Sequence, residues 1–174
     1  MNVFESSTVN VISDPVQAIE ECYARGWTDG LPVIPPTIER VSAMLEYVGL
    51  QPNQVLGEVP VRRRNLTAEQ AAANAVMAGC LPEYFPVVLA TMEVLFSYDA
   101  NSIHEVSAVT NSPGIFILVN GPIRHKIGLN CTDNLFSPGN RANSTIGRAI
   151  RLILMNVFEQ HPGVLDRGCM GSLT

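Results

Sequence analysis

The feature that most constrains this fold is an apolar helical pattern near the C-terminal end of the chain. Apolar residues recur there three or four positions apart, as on one face of an α-helix: Ile146, Ile150, Ile153, Leu154 and Val157. Leu152 and Met155 add apolar surface on a second side. A helix with two apolar sides must be covered over most of its surface, so the pattern predicts a long, buried C-terminal helix that begins near 143–145.

Composition indicates that such a core is partly shared with another chain. The 174 residues suffice for one domain, but only 16% are charged while 47% are hydrophobic. A typical domain is about one quarter charged. We therefore expect apolar surface to be covered by a partner, in a homo-oligomer or in a heteromer with a second subunit. A compact monomer with a polar, uncharged surface is the alternative.

Charge and hydropathy argue against binding to nucleic acids and to membranes. The formal net charge of −5 argues against a general nucleic-acid or anionic-membrane surface. The sequence shows no signal peptide and no window of about 18 apolar residues, so we expect a cytoplasmic protein that does not bind a membrane. The four cysteines form no CxxC pair and are expected to be reduced thiols.

The helix signals predict one α/β domain over residues 14–167, with α+β as the possible variant. Capping residues and glycines delimit helices from Asp14-Pro15 to Gly26, from Thr37 to Gly49, and over 68–78 behind a capping box at Thr67–Gln70. A fourth helix ends near Ser97. We expect several helices packed on a small sheet, a flexible arm at 1–13, and a flexible or partner-contacting tail at 168–174.

Two segments read as strands. Residues 104–110 alternate moderately between apolar and polar, and residues 114–119 are continuously apolar, as a buried central strand is. The second run ends at Asn120-Gly121-Pro122 and is followed by Arg124. Ligands gather at the carboxyl ends of strands in open α/β sheets, so Asn120 and Arg124 are candidate substrate-binding residues. An ordinary turn with a solvated Arg124 is equally consistent with the sequence.

The polar stretch 130–148 is the strongest candidate site. It is a glycine- and asparagine-rich loop that delivers the N-terminus of the long helix, where backbone amides lack partners and carry partial positive charge. Its candidate substrate-binding residues are Asn140, Arg141, Asn143, Ser144, Thr145 and Arg148. The arginines suit a carboxylate or phosphate. The alternative is that Asn143 or Ser144 caps the helix and Arg141 pairs with a surface acid.

Cys131 and Cys80 are the candidate catalytic thiols, with His104 as an assisting group. A reactive cysteine needs a neighbouring cation or helix N-terminus to lower its pKa. Cys131 lies in the polar stretch, whereas Cys80 follows a helix end and fits a small buried hydrophobe at least as well. The histidines lack paired ligand spacing, so no metal site is predicted. No cofactor is identified.

Several phrases resemble a poorly characterised bacterial family associated with thiol- or selenol-containing reductase-like proteins that carry a UGSC-type motif. They are TDGLPV at 28–33, ANAVMAGC at 73–80, PEYFPV at 82–87, NGPIR at 120–124, and GNRAN with TIGR at 139–148. The resemblance covers about residues 27–160. Family chains often continue beyond the position of Arg167, which implies that a separate subunit supplies the remainder.

These observations predict an enzyme subunit that acts on a small anionic or polar metabolite. Thiol-dependent chemistry, such as a carbon–sulfur or related lyase or reductase reaction, is the hypothesis that fits the cysteines best. A non-catalytic structural or regulatory subunit of a heteromeric enzyme is the first alternative. A metal-dependent hydrolase or lyase is the second.

Overall fold

The computed structural model describes residues 14–97, 102–108 and 114–167, which form helices packed on a small two-stranded antiparallel sheet. The predicted fold class is confirmed at this level. The predicted arm at 1–13 and tail at 168–174 lie outside the described residues. The elements are α1 (Pro15–Ala24), α2 (Ile38–Val48), β1 (Val55–Val59), β2 (Arg64–Thr67), α3 (Ala68–Ala78), α4 (Phe85–Ser97), α5 (Ser102–Ser107), α6 (Ile123–Lys126) and α7 (Arg141–Asn156).

The first three helices begin where their capping residues predict. Asp14 accepts a hydrogen bond from the Val16 amide at the start of α1, and Thr37 accepts one from Arg40 at the start of α2. In α3, Thr67 and Gln70 form a reciprocal capping box. Helices α2 and α3 end at glycines with left-handed backbone, Gly49 and Gly79, a conformation that glycine adopts without steric cost.

The core is built around the contact between α3 and α7, the most extensive one between two helices. Nine of the eleven α3 residues are buried, and most of them are alanine, whose short side chain lets α7 approach closely. The α7 residues are buried on most sides, as predicted: Ala142, Ile146, Ala149, Ile150, Leu152, Ile153, Leu154 and Met155. The apolar pattern therefore marks the centre of the fold.

An aromatic ring packs against the two-stranded sheet. Strands β1 and β2 pair antiparallel with an irregularity next to Gly57. A Cβ atom added at Gly57 would lie 2.3 Å from carbons of the Phe96 ring, and Phe96 packs edge-on against Phe158 with 6.0 Å between ring centroids. Glycine is therefore required where the α4 ring contacts the strand.

Both strand predictions after α4 were wrong, because neither segment forms a strand in the residues that the structure describes. Residues 102–107 form the helix α5, because Ile103 and Ser107, one turn apart, face the core together. Residues 114–120 have no regular secondary structure. Phe116 and Leu118 are 69% and 73% exposed, while Ile115, Ile117 and Val119 pack against the core. In the described part of the chain no strand pairs with this segment, so only one side of it is covered.

No single helix in the described ranges is long and apolar enough to cross a membrane. One bent pair, Ala68–Ala78 with Pro82–Ser97, reaches that length and composition across a 119° bend.

Candidate functional site

Helix α7 begins at Arg141, slightly earlier than the sequence predicts. Its cap is Asn140, whose side-chain oxygen accepts a hydrogen bond from the Asn143 amide at 3.1 Å. The expectation that Asn143 or Ser144 caps this helix was therefore wrong. The Ser144 amide donates to the Asn140 carbonyl at 3.1 Å and lies inside the first helical turn.

The asparagines fix the shape of the loop that precedes α7. The side chain of Asn143 accepts from the Asn130 amide at 3.0 Å and donates to the Asn130 carbonyl at 2.9 Å. Asn140 Nδ2 donates to the Gly128 carbonyl at 2.8 Å. Asn130 in turn donates to the Asp133 carbonyl at 2.9 Å and accepts from Thr132. These amides hold the loop against the helix end.

The loop that precedes α7 lines an open pocket of about 450 Å³ beside the N-terminus of this helix. The pocket is lined by Asn130, Asp133, Asn134, Ser137, Pro138, Gly139 and Asn140. Asp133, Asn134 and Ser137 are exposed, and their side chains form no hydrogen bond to any residue that the structure describes. These three side chains are therefore the lining groups that are free to contact a ligand. The sequence analysis does not identify them as binding residues.

Arg141 points away from this pocket, toward α3. Its Nε and Nη2 donate to the Gly79 carbonyl at 3.0 and 2.9 Å. A cation at the C-terminal end of a helix stabilises carbonyls that lack intrahelical partners. Arg141 therefore joins the end of α3 to the start of α7. Its observed partner is a carbonyl, whereas the alternative from the sequence was a surface acid.

Arg148 forms a bidentate ion pair with Asp29, in the loop that follows α1. Nε and Nη2 donate to the carboxylate at 2.8 and 2.7 Å, and Nη2 also reaches the carbonyls of Leu31 and Pro32. The two side chains are only 15% and 4% exposed. Burial alone would raise the pKa of Asp29, but the hydrogen bonds and charge of Arg148 outweigh it and lower that pKa.

Asn156 holds the same loop two helical turns farther along α7. Its Nδ2 donates to the Trp27 carbonyl at 3.0 Å and to Asn74 Oδ1 at 2.7 Å. Asn74 lies buried on α3 and donates to the Gln70 carbonyl at 2.9 Å. Helix α7 therefore holds both ends of the segment 27–32. The contacts of Arg148 serve to attach this loop to α7.

The two candidate thiols occupy opposite environments. Cys131 is exposed, and Arg124 Nη1 lies 3.9 Å from its Sγ. Cys80 is only 6% exposed, and its thiol donates to the Thr145 carbonyl with the atoms 3.3 Å apart. Burial raises the pKa of Cys80 to about 11, although that hydrogen bond and the charge of Arg141 oppose the rise. A buried, protonated thiol suits the core better than nucleophilic chemistry.

The remaining candidates do not converge on one point. Asn120 is exposed just before α6, and the Thr145 hydroxyl donates to the Arg141 carbonyl at 2.8 Å within α7. His104 lies on α5, and its side chain is outside the described part of the structure. The predicted residues thus divide into a loop group around Cys131 and an interior group around the end of α3 and the loop after α1.

Within the described residues, no three His, Cys, Asp or Glu side chains are grouped so that they could hold a metal ion. The structure therefore offers no observation that favours the metal-dependent alternative. No family model, curated protein or solved structure matches the chain. The possible functions are therefore compared through the geometry of the pocket, of the loop group around Cys131 and of the interior group around the end of α3.

Proposed function

We propose that this chain is an enzyme subunit that binds a small polar metabolite in the pocket at the N-terminus of α7, with Cys131 as its reactive thiol. One observation carries the proposal: the loop that lines the pocket also presents an exposed cysteine beside an arginine. Asn130 lines the pocket and Cys131 follows it directly. Pockets with a few unpartnered polar groups are the usual location of small-molecule sites.

Arg124 supports the thiol assignment through its charge. Its Nη1 lies 3.9 Å from the Cys131 sulfur, and reactive cysteines are typically found beside a cation. The chemistry that follows is thiol-dependent, such as a carbon–sulfur lyase or related reductase reaction. Such a thiol has to stay reduced, which agrees with a cytoplasmic location. His104 is retained in this proposal as the assisting group.

The two α7 arginines are not assigned to the substrate. Arg141 and Arg148 direct donors at the Gly79 carbonyl and at Asp29, and neither arginine lines the pocket. Substrate contact falls instead to the exposed loop groups, with Arg124 beside the thiol. Asn140 and Asn143 act by holding the loop.

Thiol labelling tests the assignment of Cys131. We expect N-ethylmaleimide, a neutral reagent, to modify Cys131 faster than Cys22 and Cys80, as followed by mass spectrometry of the intact chain and its peptides. Cys131→Ser should remove the fast modification of the peptide that contains position 131, whereas the matched control Cys80→Ser should leave it unchanged. Fast modification of Cys80 would contradict the proposal.

A second set of variants tests the role of Arg124. A unit charge about 4 Å away in water contributes about 1 kcal/mol, so Arg124→Gln should slow labelling of Cys131 about fivefold. Lys126→Gln removes a positive charge from the same helix, but Lys126 has no observed contact with the sulfur, so this control should change the rate much less. Equal effects of the two variants would show that only the general field of α6 matters.

A non-catalytic subunit is the second candidate, and an exposed apolar face favours it. The rings of Phe116 and Phe136 contact each other with centroids 6.1 Å apart, although they are 69% and 71% exposed. Exposed aromatic pairs are typical of surfaces that bind another protein chain. A homo-oligomer or a second subunit would cover them.

Assembly measurements distinguish the two candidates. Phe136→Ser should reduce the oligomer mass seen by light scattering if this face binds another chain, and it should leave Cys131 labelling in place. If Cys131→Ser also disrupts assembly, the loop belongs to an interface, and the non-catalytic function is then the better one.

A further inference from the structure

We infer that the pocket beside α7 selects a positively charged, hydrogen-bond-donating small molecule, such as an amine that also carries hydroxyl groups. This inference rests on the proposed function and specifies its substrate class. It reverses the preference for an anion that the arginine-rich sequence suggested. The reason lies in where the structure directs each charged group.

The cations near the helix end are turned away from the pocket. None of the lining residues is basic, because Arg141 donates to the Gly79 carbonyl and Arg148 is paired with Asp29. Arg124 also lies outside the lining, with Nη1 directed at Cys131. A ligand carboxylate or phosphate would therefore find no free guanidinium in the pocket wall.

The charged lining residue is an acid. The carboxylate of Asp133 is exposed and has no hydrogen-bond or ion-pair partner among the described residues. It carries a full negative charge, whereas a helix N-terminus supplies only about half of a positive one. The Asn143 amide is also occupied by the Asn140 side chain, which reduces what α7 offers an anion. The lining therefore contains one acid and no basic residue, so its formal charge is negative.

The other free groups also suit a donating ligand. The side chains of Asn130 and Asn140 each donate one of their two Nδ2 hydrogens to a carbonyl of the loop itself. Asn134 and Ser137 remain, and each can accept a hydrogen bond from a ligand hydroxyl or ammonium group. Together with Asp133, whose carboxylate only accepts, they offer several acceptors to a donating ligand.

Three probes of equal size and different charge test this inference: glucosamine, glucose and glucuronate. Each is titrated into the full chain at low ionic strength, and the amide NMR signals of residues 128–140 report binding. We expect glucosamine to bind about fivefold more tightly than glucuronate, as one exposed charge pair can provide. Asp133→Asn should remove this difference, whereas Glu46→Gln, which removes one charge from α2, should not.

The outcomes separate the inference from the proposed function. If glucuronate binds more tightly than glucosamine at the same signals, and Asp133→Asn strengthens it, the pocket stands and the charge preference is overturned. If none of the probes perturbs these signals, both the preference and the proposed pocket are overturned. Loss of the preference in Glu46→Gln as well would attribute it to net charge and overturn the role of Asp133.

Discussion

Two regions that adjoin α7, an inner side along the helix and an outer side at its N-terminus, use the same residue types differently. On the inner side, Arg148 of α7 pairs with Asp29 in the loop after α1, and Asn156 of α7 donates to the backbone of the same loop. These polar groups therefore have partners in the interior. On the outer side, Asp133 and Ser137 line an open pocket with free side chains. An aspartate in one region fastens a loop, and an aspartate in the other is available to a ligand.

The comparison shows that pairing, rather than residue type, distinguishes the polar groups of the two regions. Buried polar groups must have partners because an unpaired one costs about 1–3 kcal/mol. Exposed groups are hydrated and carry no such cost, so they remain free for binding. The difference predicts that substitutions on the inner side affect stability, whereas those on the outer side affect ligand affinity.

The largest expected effect is the loss of the ion pair between α7 and the loop after α1. Asp29→Ala should destabilise the chain by about 3–5 kcal/mol, because it leaves the Arg148 charge buried without its partner. Urea unfolding monitored by circular dichroism measures this. Glu21→Ala is the control: its pair with Arg25 has side chains 40% exposed, so the loss should be about 0.3–0.5 kcal/mol. Equal losses would remove the distinction between the two regions.

A smaller effect of the same pair should appear as pH dependence. The pKa of Asp29 is lowered from 3.8 in the folded chain, so the unfolded chain binds a proton more readily. The stabilisation is therefore complete above about pH 5 and is lost as pH falls through the folded pKa, below about 4. The stability difference between the wild type and Asp29→Asn should shrink in urea unfolding from pH 6 to pH 3. A constant difference would contradict this.

The next effect concerns the second attachment of the loop. Asn156→Leu removes donors to the Trp27 carbonyl and to Asn74, and should cost about 1–3 kcal/mol in the same unfolding assay. Asn53→Leu changes an exposed asparagine between α2 and β1 and should alter stability by at most about 0.5 kcal/mol. Similar costs would mean that burial of these bonds adds little.

The smallest effects on stability are expected at the pocket. Asp133→Asn and Ser137→Ala should each change the free energy of unfolding by less than about 0.5 kcal/mol, because neither side chain has a partner in the described fold. Thermal unfolding monitored by fluorescence is sufficient to check this. A loss above 1 kcal/mol at either position would show that the loop depends on these groups and would weaken the contrast with the inner side.

The elements that could be predicted from sequence are those whose signals are local. The capping box at Thr67 and the glycine at position 79 delimit α3 correctly, because both act through the backbone of adjacent residues. The apolar spacing of α7 likewise reflects its burial. The apolar run at 114–119 failed as a strand signal, because a strand needs a neighbour to pair with, and the run itself carries no information about one.

Part of the geometry around the candidate site residues could be predicted from the sequence. The asparagines around the start of α7 do build one structure, and Arg124 does lie beside Cys131. The partner of Arg148 could not be predicted, since Asp29 is 119 positions away in sequence. The availability of Asp133 could not be predicted either, because it depends on which neighbouring cations the fold directs elsewhere.

The position of α7 in the chain also sets the order of events during synthesis. Helix α3 ends at Ala78, and the helix that covers it is complete only at Asn156. Translation at about 5–20 residues per second separates these two points by roughly 4–16 s. Through that interval the alanine-rich surface of α3 lacks its final cover, because the α7 residues that bury it have not yet been made.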